Sequence, residues 1–232
     1  MRPAFLLALL PLAAAPAALA ASFDCARAAA PDEQAVCADP HLSELDSALG
    51  AAYAQARATT PKEDLASLTT VARGILADRR RCGATRGCLL AVYVGGLHGY
   101  QRFGSDIAPP DWVNALDMAD GTAPESSGLP GRPGQCVTTR VTQVAARLDG
   151  DKPGAFDSGT SISFANRGFQ VSYDREEALI ASRPGDRVVM CLTIIPRACP
   201  PGDDRGRYYT VTNLRTRGSW SLPDSQHLCG GA

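Results

Sequence analysis

Between residues 39 and 97 apolar side chains return every three or four positions, and beyond residue 135 they alternate in short runs. The first spacing is the period of an α-helix, the second that of a half-buried strand. Asp39-Pro40 predicts a helix start, with an N-cap carboxylate and Pro at the first helical position. Leu42, Leu45, Leu49 and Tyr53 then make one apolar stripe. Thr60-Pro61-Lys62-Glu63 has the form of a capping box, and Leu65, Leu68, Ala72, Ile75 and Leu76 build a second stripe. Cys82-Gly83 ends that helix, and residues 88–97 offer a shorter third one. Two long helices joined at residues 57–60 must run antiparallel.

Strand signals follow at residues 137–144, 160–164, 169–173, 187–195 and 208–212, separated by turn residues such as Arg183-Pro184-Gly185-Asp186. Between the two patterns, residues 104–134 are rich in Pro and Gly, with only Trp112, Val113, Leu116 and Met118 to bury. The fold predicted is α+β in separate domains: a disulfide-bonded helical hairpin or bundle over 21–103, a linker with one small docked turn over 104–134, and a small disulfide-bonded all-β sandwich or barrel over 135–232.

The first residues change the picture of where this chain works. Arg2 precedes an apolar run over residues 4–19, broken by Pro11 and Pro16 and closed by Ala18-Leu19-Ala20. These are the parts of a secretory signal peptide over 1–20, cleaved after Ala20, with Ala21 the neighbouring alternative. The run falls short of the ~20 apolar residues that cross a bilayer. Ser22-Phe23-Asp24 before Cys25 is no lipoprotein box, so the expectation is a periplasmic or secreted protein without a membrane span.

Export gives the eight cysteines their meaning, since an even number in an oxidising compartment reads as disulfides. Cys37 precedes the first long helix and Cys82 follows the second, which puts both at one end of the hairpin. Cys37–Cys82 and Cys25–Cys88 are therefore expected over the local pairs Cys25–Cys37 and Cys82–Cys88, whose short loops stabilise less in the loop-entropy picture. In the second half the expectation is Cys136–Cys229 and Cys191–Cys199. With no CxxC pair and only His41, His98 and His227, the sequence predicts no metal and no cofactor. Setting Arg2 aside leaves 22 basic residues against 24 acidic ones, which argues against nucleic acid as a partner.

Phe23-Asp24-Cys25, Glu33 to Cys37, Asp39-Pro40, Leu42, Leu45-Asp46, Tyr53, Arg79, Cys82, Cys88-Leu89 and Tyr93 together resemble the N-terminal domain of the LprI-type lysozyme inhibitor family. The resemblance covers about a third of the chain. It implies a helical envelope module with Glu33, Asp46, Tyr53 and Arg79 as its motif residues, and lysozyme as the kind of partner that gave the family its name. Three positions depart from the family pattern: Ile75 replaces a Trp, Arg80 an acidic residue, and the last helix carries Gly95-Gly96.

From the residues themselves, Asp46 suits an ion pair with Arg79 better than paired-acid catalysis. Asp203, Asp204, Ser225 and His227 are the candidates for a hydrolase, set aside because no nucleophile elbow or oxyanion strand–turn–helix surrounds them. Asp149, Asp151 and Asp157 lack the spacing of a calcium loop. Arg215, Arg217, Trp220 and Tyr209 are the candidate anchors for a protein partner in the envelope. The sequence thus reads as a non-enzymatic exported binding protein of the lysozyme-inhibitor type, blocking an enzyme cleft sterically. A non-catalytic envelope adaptor is the alternative, and an envelope hydrolase trails.

Overall fold

The computed structural model describes residues 21–231; the predicted signal peptide lies outside the described residues. Helix α1 (Pro31–Ala38) is started by Glu33, whose carboxylate accepts from the backbone N–H groups of Ala29 (3.0 Å) and Ala30 (3.1 Å). Asp39 breaks the chain and caps α2 (Pro40–Thr59), accepting from His41 and Leu42 as the sequence predicts. The expected capping box at Thr60 does not form, because the Thr60 hydroxyl donates backward to the Ala56 carbonyl. A 3₁₀ turn at Lys62–Asp64 leads instead into α3 (Leu65–Cys82). Leu76, assigned by its spacing to the buried stripe, is exposed.

Helix α4 (Arg86–Gln101) is longer than its sequence signal and is apolar around nearly its whole circumference. Such a helix must be covered on every side. Helices α2 and α3 cover one side, and the sheet covers the other. Gly95 and Gly96 make the double coverage possible. A Cβ at Gly95 would stand 2.2 Å from the Thr193 carbonyl oxygen of the sheet, and one at Gly96 would stand 2.6 Å from Leu49 of α2.

The sheet has six antiparallel strands in the order β3-β2-β1-β4-β5-β6: β1 (Cys136–Ala146), β2 (Thr160–Phe164), β3 (Phe169–Ser172), β4 (Arg187–Ile194), β5 (Tyr208–Asn213) and β6 (Ser219–Pro223). Strand β1 serves two partners. Its first five residues pair with β4, and the rest, from Val141 on, pairs with β2, with an irregularity between Val141 and Gln143. A bulge of this kind bends a strand and adds twist, and here it curls the sheet into a half-barrel.

The concave side buries Val137, Ile162, Phe164, Met190, Leu192, Tyr209, Val211 and Trp220. Gln170 of β3, wholly buried, stitches the curl together. Its amide donates to the Tyr209 (2.7 Å) and Leu222 (2.9 Å) carbonyls and accepts from Trp220 Nε1 (2.9 Å). The convex side carries Thr138, Cys191, Thr210, Thr212 and Ser221; α4 lies on this face, with His98 at Ser221, while the chain over 115–124 covers Thr138, Cys191 and Thr212.

Helices and sheet therefore share a core through α4, where the sequence predicts two domains standing apart. Part of the Pro/Gly-rich stretch docks as well. Helix α5 (Ala115–Met118) places its first N–H on Thr212 Oγ1 at 2.8 Å. A little further on, Thr138 donates from its backbone N–H to the Pro124 carbonyl at 2.7 Å.

All four bridges differ from the expected pairing. They are Cys25–Cys37, Cys82–Cys88, Cys136–Cys191 and Cys199–Cys229. The chain reversals decide the first two. Cys82 ends α3 and Cys88 lies in the first turn of α4, so the tight turn at Gly83 (φ 54°) brings them together. Cys37 belongs to the separate short helix α1 and faces the N-terminal segment rather than α3. Cys136 and Cys191 are directly opposed in the β1–β4 register. Cys199–Cys229 then ties the β4–β5 loop to the C-terminal tail.

Candidate functional site

Glu33, Asp46, Tyr53 and Arg79 all prove to be built into the helical layer. Asp46, about 3% exposed, accepts from Tyr93 Oη (2.8 Å), Arg79 Nη1 (3.3 Å), Ser22 N (2.7 Å) and Ser22 Oγ (2.6 Å). Arg79 spends its Nε on Asp32, at 2.8 Å and equally buried, and lies against the Phe23 ring. Burial first, and the Asp46 carboxylate second, hold the Tyr93 phenol well above its ordinary range, so it acts as a fixed donor. Tyr53 packs against Tyr100. Asp32 is the member that sequence reasoning missed. Its only signal is an acidic residue behind Pro31 at a helix start, where a carboxylate is common for other reasons.

The proposed partner anchors divide. Tyr209 (1% exposed) and Trp220 (6%) fill the half-barrel, so they cannot meet a partner. Strand alternation puts them on the concave face, and the Trp220 indole is spent on Gln170. Arg215 and Arg217 are exposed. Arg215, however, is clamped on both Asp186 oxygens at 2.7 Å and on the Ala181 carbonyl. That clamp, the largest influence on it, holds the Asp186 carboxyl well below the usual carboxylate range.

Asp203, Asp204, Ser225 and His227 do not converge on a nucleophile–base pair. The Ser225 hydroxyl donates to the His227 backbone carbonyl, Asp203 grips Arg205 and the Gly230 N–H, and Asp204 pairs with Arg207. Asp151 closes its own loop by accepting from Ser158 N (2.8 Å) and Oγ (2.9 Å). Among the described residues, no His, Cys, Asp and Glu side chains gather in a group of three that could hold a metal, and no helix is long and apolar enough to cross a membrane.

A second buried polar cluster lies where α4 meets the sheet. His98, 8% exposed, stacks on Tyr208 with ring centroids 4.4 Å apart. Its Nδ1 meets Gln101 Oε1 at 3.0 Å and its Nε2 meets Ser221 Oγ at 2.9 Å. Gln101 Nε2 donates to the Ile107 carbonyl, which turns Oε1 toward the ring, so Nδ1 carries the proton and Nε2 accepts from Ser221. Burial pushes the imidazole down to about 4 from 6.5.

A neutral His98 thus pins helix to sheet, and its depressed pKa has a defined sign. The contribution to stability is full above pH 6.5 and is lost as pH falls toward 4. At 1.36 kcal/mol per unit this is about 3 kcal/mol. Urea unfolding of the native chain is expected to show this loss between pH 7 and pH 4. His98→Gln should flatten that part of the profile; an unchanged profile would remove His98 from the account.

One end of the half-barrel presents a different surface. The loop over residues 147–159 between β1 and β2 is long for a β connection, yet it is held in place. Arg147 donates to the Ser158 carbonyl (2.6 Å) and to Gln226 (3.0 Å), with its guanidinium 4.2 Å from the centroid of the Tyr173 ring. Arg175 reaches the Ala155 carbonyl (2.8 Å) and lies beside Phe156. Tyr173 (56% exposed) and Leu148 (46%) stand out from this rim. The segments that form it, 147–159 and 173–177, carry six carboxylates (Asp149, Asp151, Asp157, Asp174, Glu176 and Glu177) against three cations (Arg147, Lys152 and Arg175), so the rim is acidic while the remainder of the chain is nearly neutral; Glu177 pairs with Arg175, and Asp151 and Glu176 accept from Ser158 and Ser172.

No family model, curated protein or solved structure matches this chain. What the rim can do is set by its chemistry: a preformed loop, two exposed apolar side chains, and segments rich in carboxylates. A preformed aromatic surface loses little in ordering when it meets a partner.

Proposed function

We propose that this chain is an exported binding protein of the lysozyme-inhibitor type, working in the periplasm or outside the cell and blocking a basic enzyme without chemistry of its own. The observation that carries the proposal is the acidic rim around Tyr173 and Leu148. Its excess of carboxylates complements a basic partner and would speed encounter, and Tyr173 has the size and exposure of an anchor. Four disulfides favour an oxidising compartment, which agrees with the signal peptide read from residues 1–20. The resemblance of the helical layer to the LprI-type family supports the same reading independently of the rim.

Inhibition of a c-type lysozyme by the full mature chain tests it. Stoichiometric inhibition that weakens with salt is expected, and Tyr173→Ala should raise the inhibition constant roughly 10- to 30-fold. No inhibition at micromolar protein would withdraw the inhibitor reading and leave the non-catalytic envelope adaptor in its place.

A further inference from the structure

The Asp32–Arg79–Asp46 cluster does not balance. Two carboxylates, each about 3% exposed, share a single guanidinium, and among the described residues no other cation forms a salt bridge with either. The remaining donors to Asp46 are a Ser22 hydroxyl, the Ser22 backbone N–H and a phenol that its surroundings keep protonated. An unmatched buried charge is costly, and proteins pair such charges or avoid them.

The missing cation has a natural source in the chain itself. Ser22 N lies 2.7 Å from Asp46 Oδ2, a length typical of a charge-assisted bond. A terminus created after Ala21, the alternative cleavage site, would place its ammonium on that atom, whereas one created after Ala20 would leave Ser22 N a peptide amide. Gly50 lets this segment approach α2, since a Cβ there would sit 3.1 Å from the Ser22 side chain. Phe23 fixes the next residue against Arg79.

We infer that the α-ammonium released by removal of the leader is the second cation of the Asp32–Arg79–Asp46 cluster, so that export processing completes the charge balance of the helical layer. This rests on the export reading, and the two can fail separately. Recovery of the protein from the periplasmic or external fraction judges export. N-terminal sequencing of that material judges the inference: Ser22 first supports it, and any other first residue, Ala21 included, overturns it.

A thermal cycle then measures the interaction. Selective acetylation of the α-amine should lower the melting temperature of the mature protein by roughly 4 °C or more, while the same acetylation in Asp46→Asn should cost little. Equal losses in the two backgrounds, or none in either, would overturn the inference. Because each comparison is made within one folded background, the destabilising effect of Asp46→Asn itself drops out.

Discussion

Arg79→Met is expected to destabilise the protein by about 3–5 kcal/mol, the range seen when one partner of a buried ion pair is removed. The Met side chain keeps much of the volume against Phe23, so what is lost is charge. Without the guanidinium, Asp32 and Asp46 face each other across a dry helical interface with no cation from the helices. Asp46→Asn is milder, because it leaves Asp32 and Arg79 as a balanced pair. In Arg79→Met both carboxylates lose their shared guanidinium, whereas Arg79→Lys keeps a cation there and should recover part of the deficit. Urea titrations of the two variants read this directly, and equal deficits in Arg79→Met and Arg79→Lys would mean that packing, not charge, is what Arg79 supplies.

Gly95→Ala should be nearly as damaging, against the ordinary trend of helices. Alanine in place of a helical glycine gains about 1 kcal/mol from propensity alone. Here the added methyl would stand 2.2 Å from the Thr193 carbonyl oxygen, and neither backbone can rotate aside as a side chain would. Helix α4 and strand β4 must separate, opening the interface that His98 pins. A net loss of about 3 kcal/mol, at the upper end of overpacking costs, is expected, or a melting temperature lower by roughly 6–12 °C. Gly50→Ala is the comparison, since its methyl would meet only the Ser22 side chain at 3.1 Å. A Gly95→Ala protein as stable as the native one would mean that helix and sheet are not in close contact in solution.

Periodicity placed α2, α3 and five of the six strands where they stand, because each has one apolar face and local turn residues to bound it. What periodicity could not show is what covers the other face. Thr138, Thr210, Thr212 and Ser221 alternate with apolar neighbours and read as solvent-facing. They are half to fully buried under α4 and α5, with partners such as the Ala115 N–H and His98 supplied from far along the chain. The two-domain expectation follows from that one gap. Gly95 is the mark of sheet docking, legible only once β4 is in place, while Gly96 lets α2 approach.

The motif residues Asp46 and Arg79 could be paired from sequence because stripe position and charge agree. Asp32 and Ser22, which complete the cluster, carry no such pattern. The rim was partly visible as a run of aspartates, but its aromatic member Tyr173 comes from a strand end 15 residues beyond Ser158. Trp220 and Tyr209 drew attention as aromatics of the right type, and their place on the concave face follows from a register that only strand pairing fixes.

The four bridges span 12, 6, 55 and 30 residues, and none joins the helical layer to the sheet. For a chain that enters an oxidising space N terminus first, the consequence is one of timing. Cys25–Cys37 and Cys82–Cys88 can close before Cys136 has arrived, and nothing formed later requires either to be reopened. The order of synthesis is also a permissible order of oxidation, so the chain can reach its covalent end state without passing through a mispaired one.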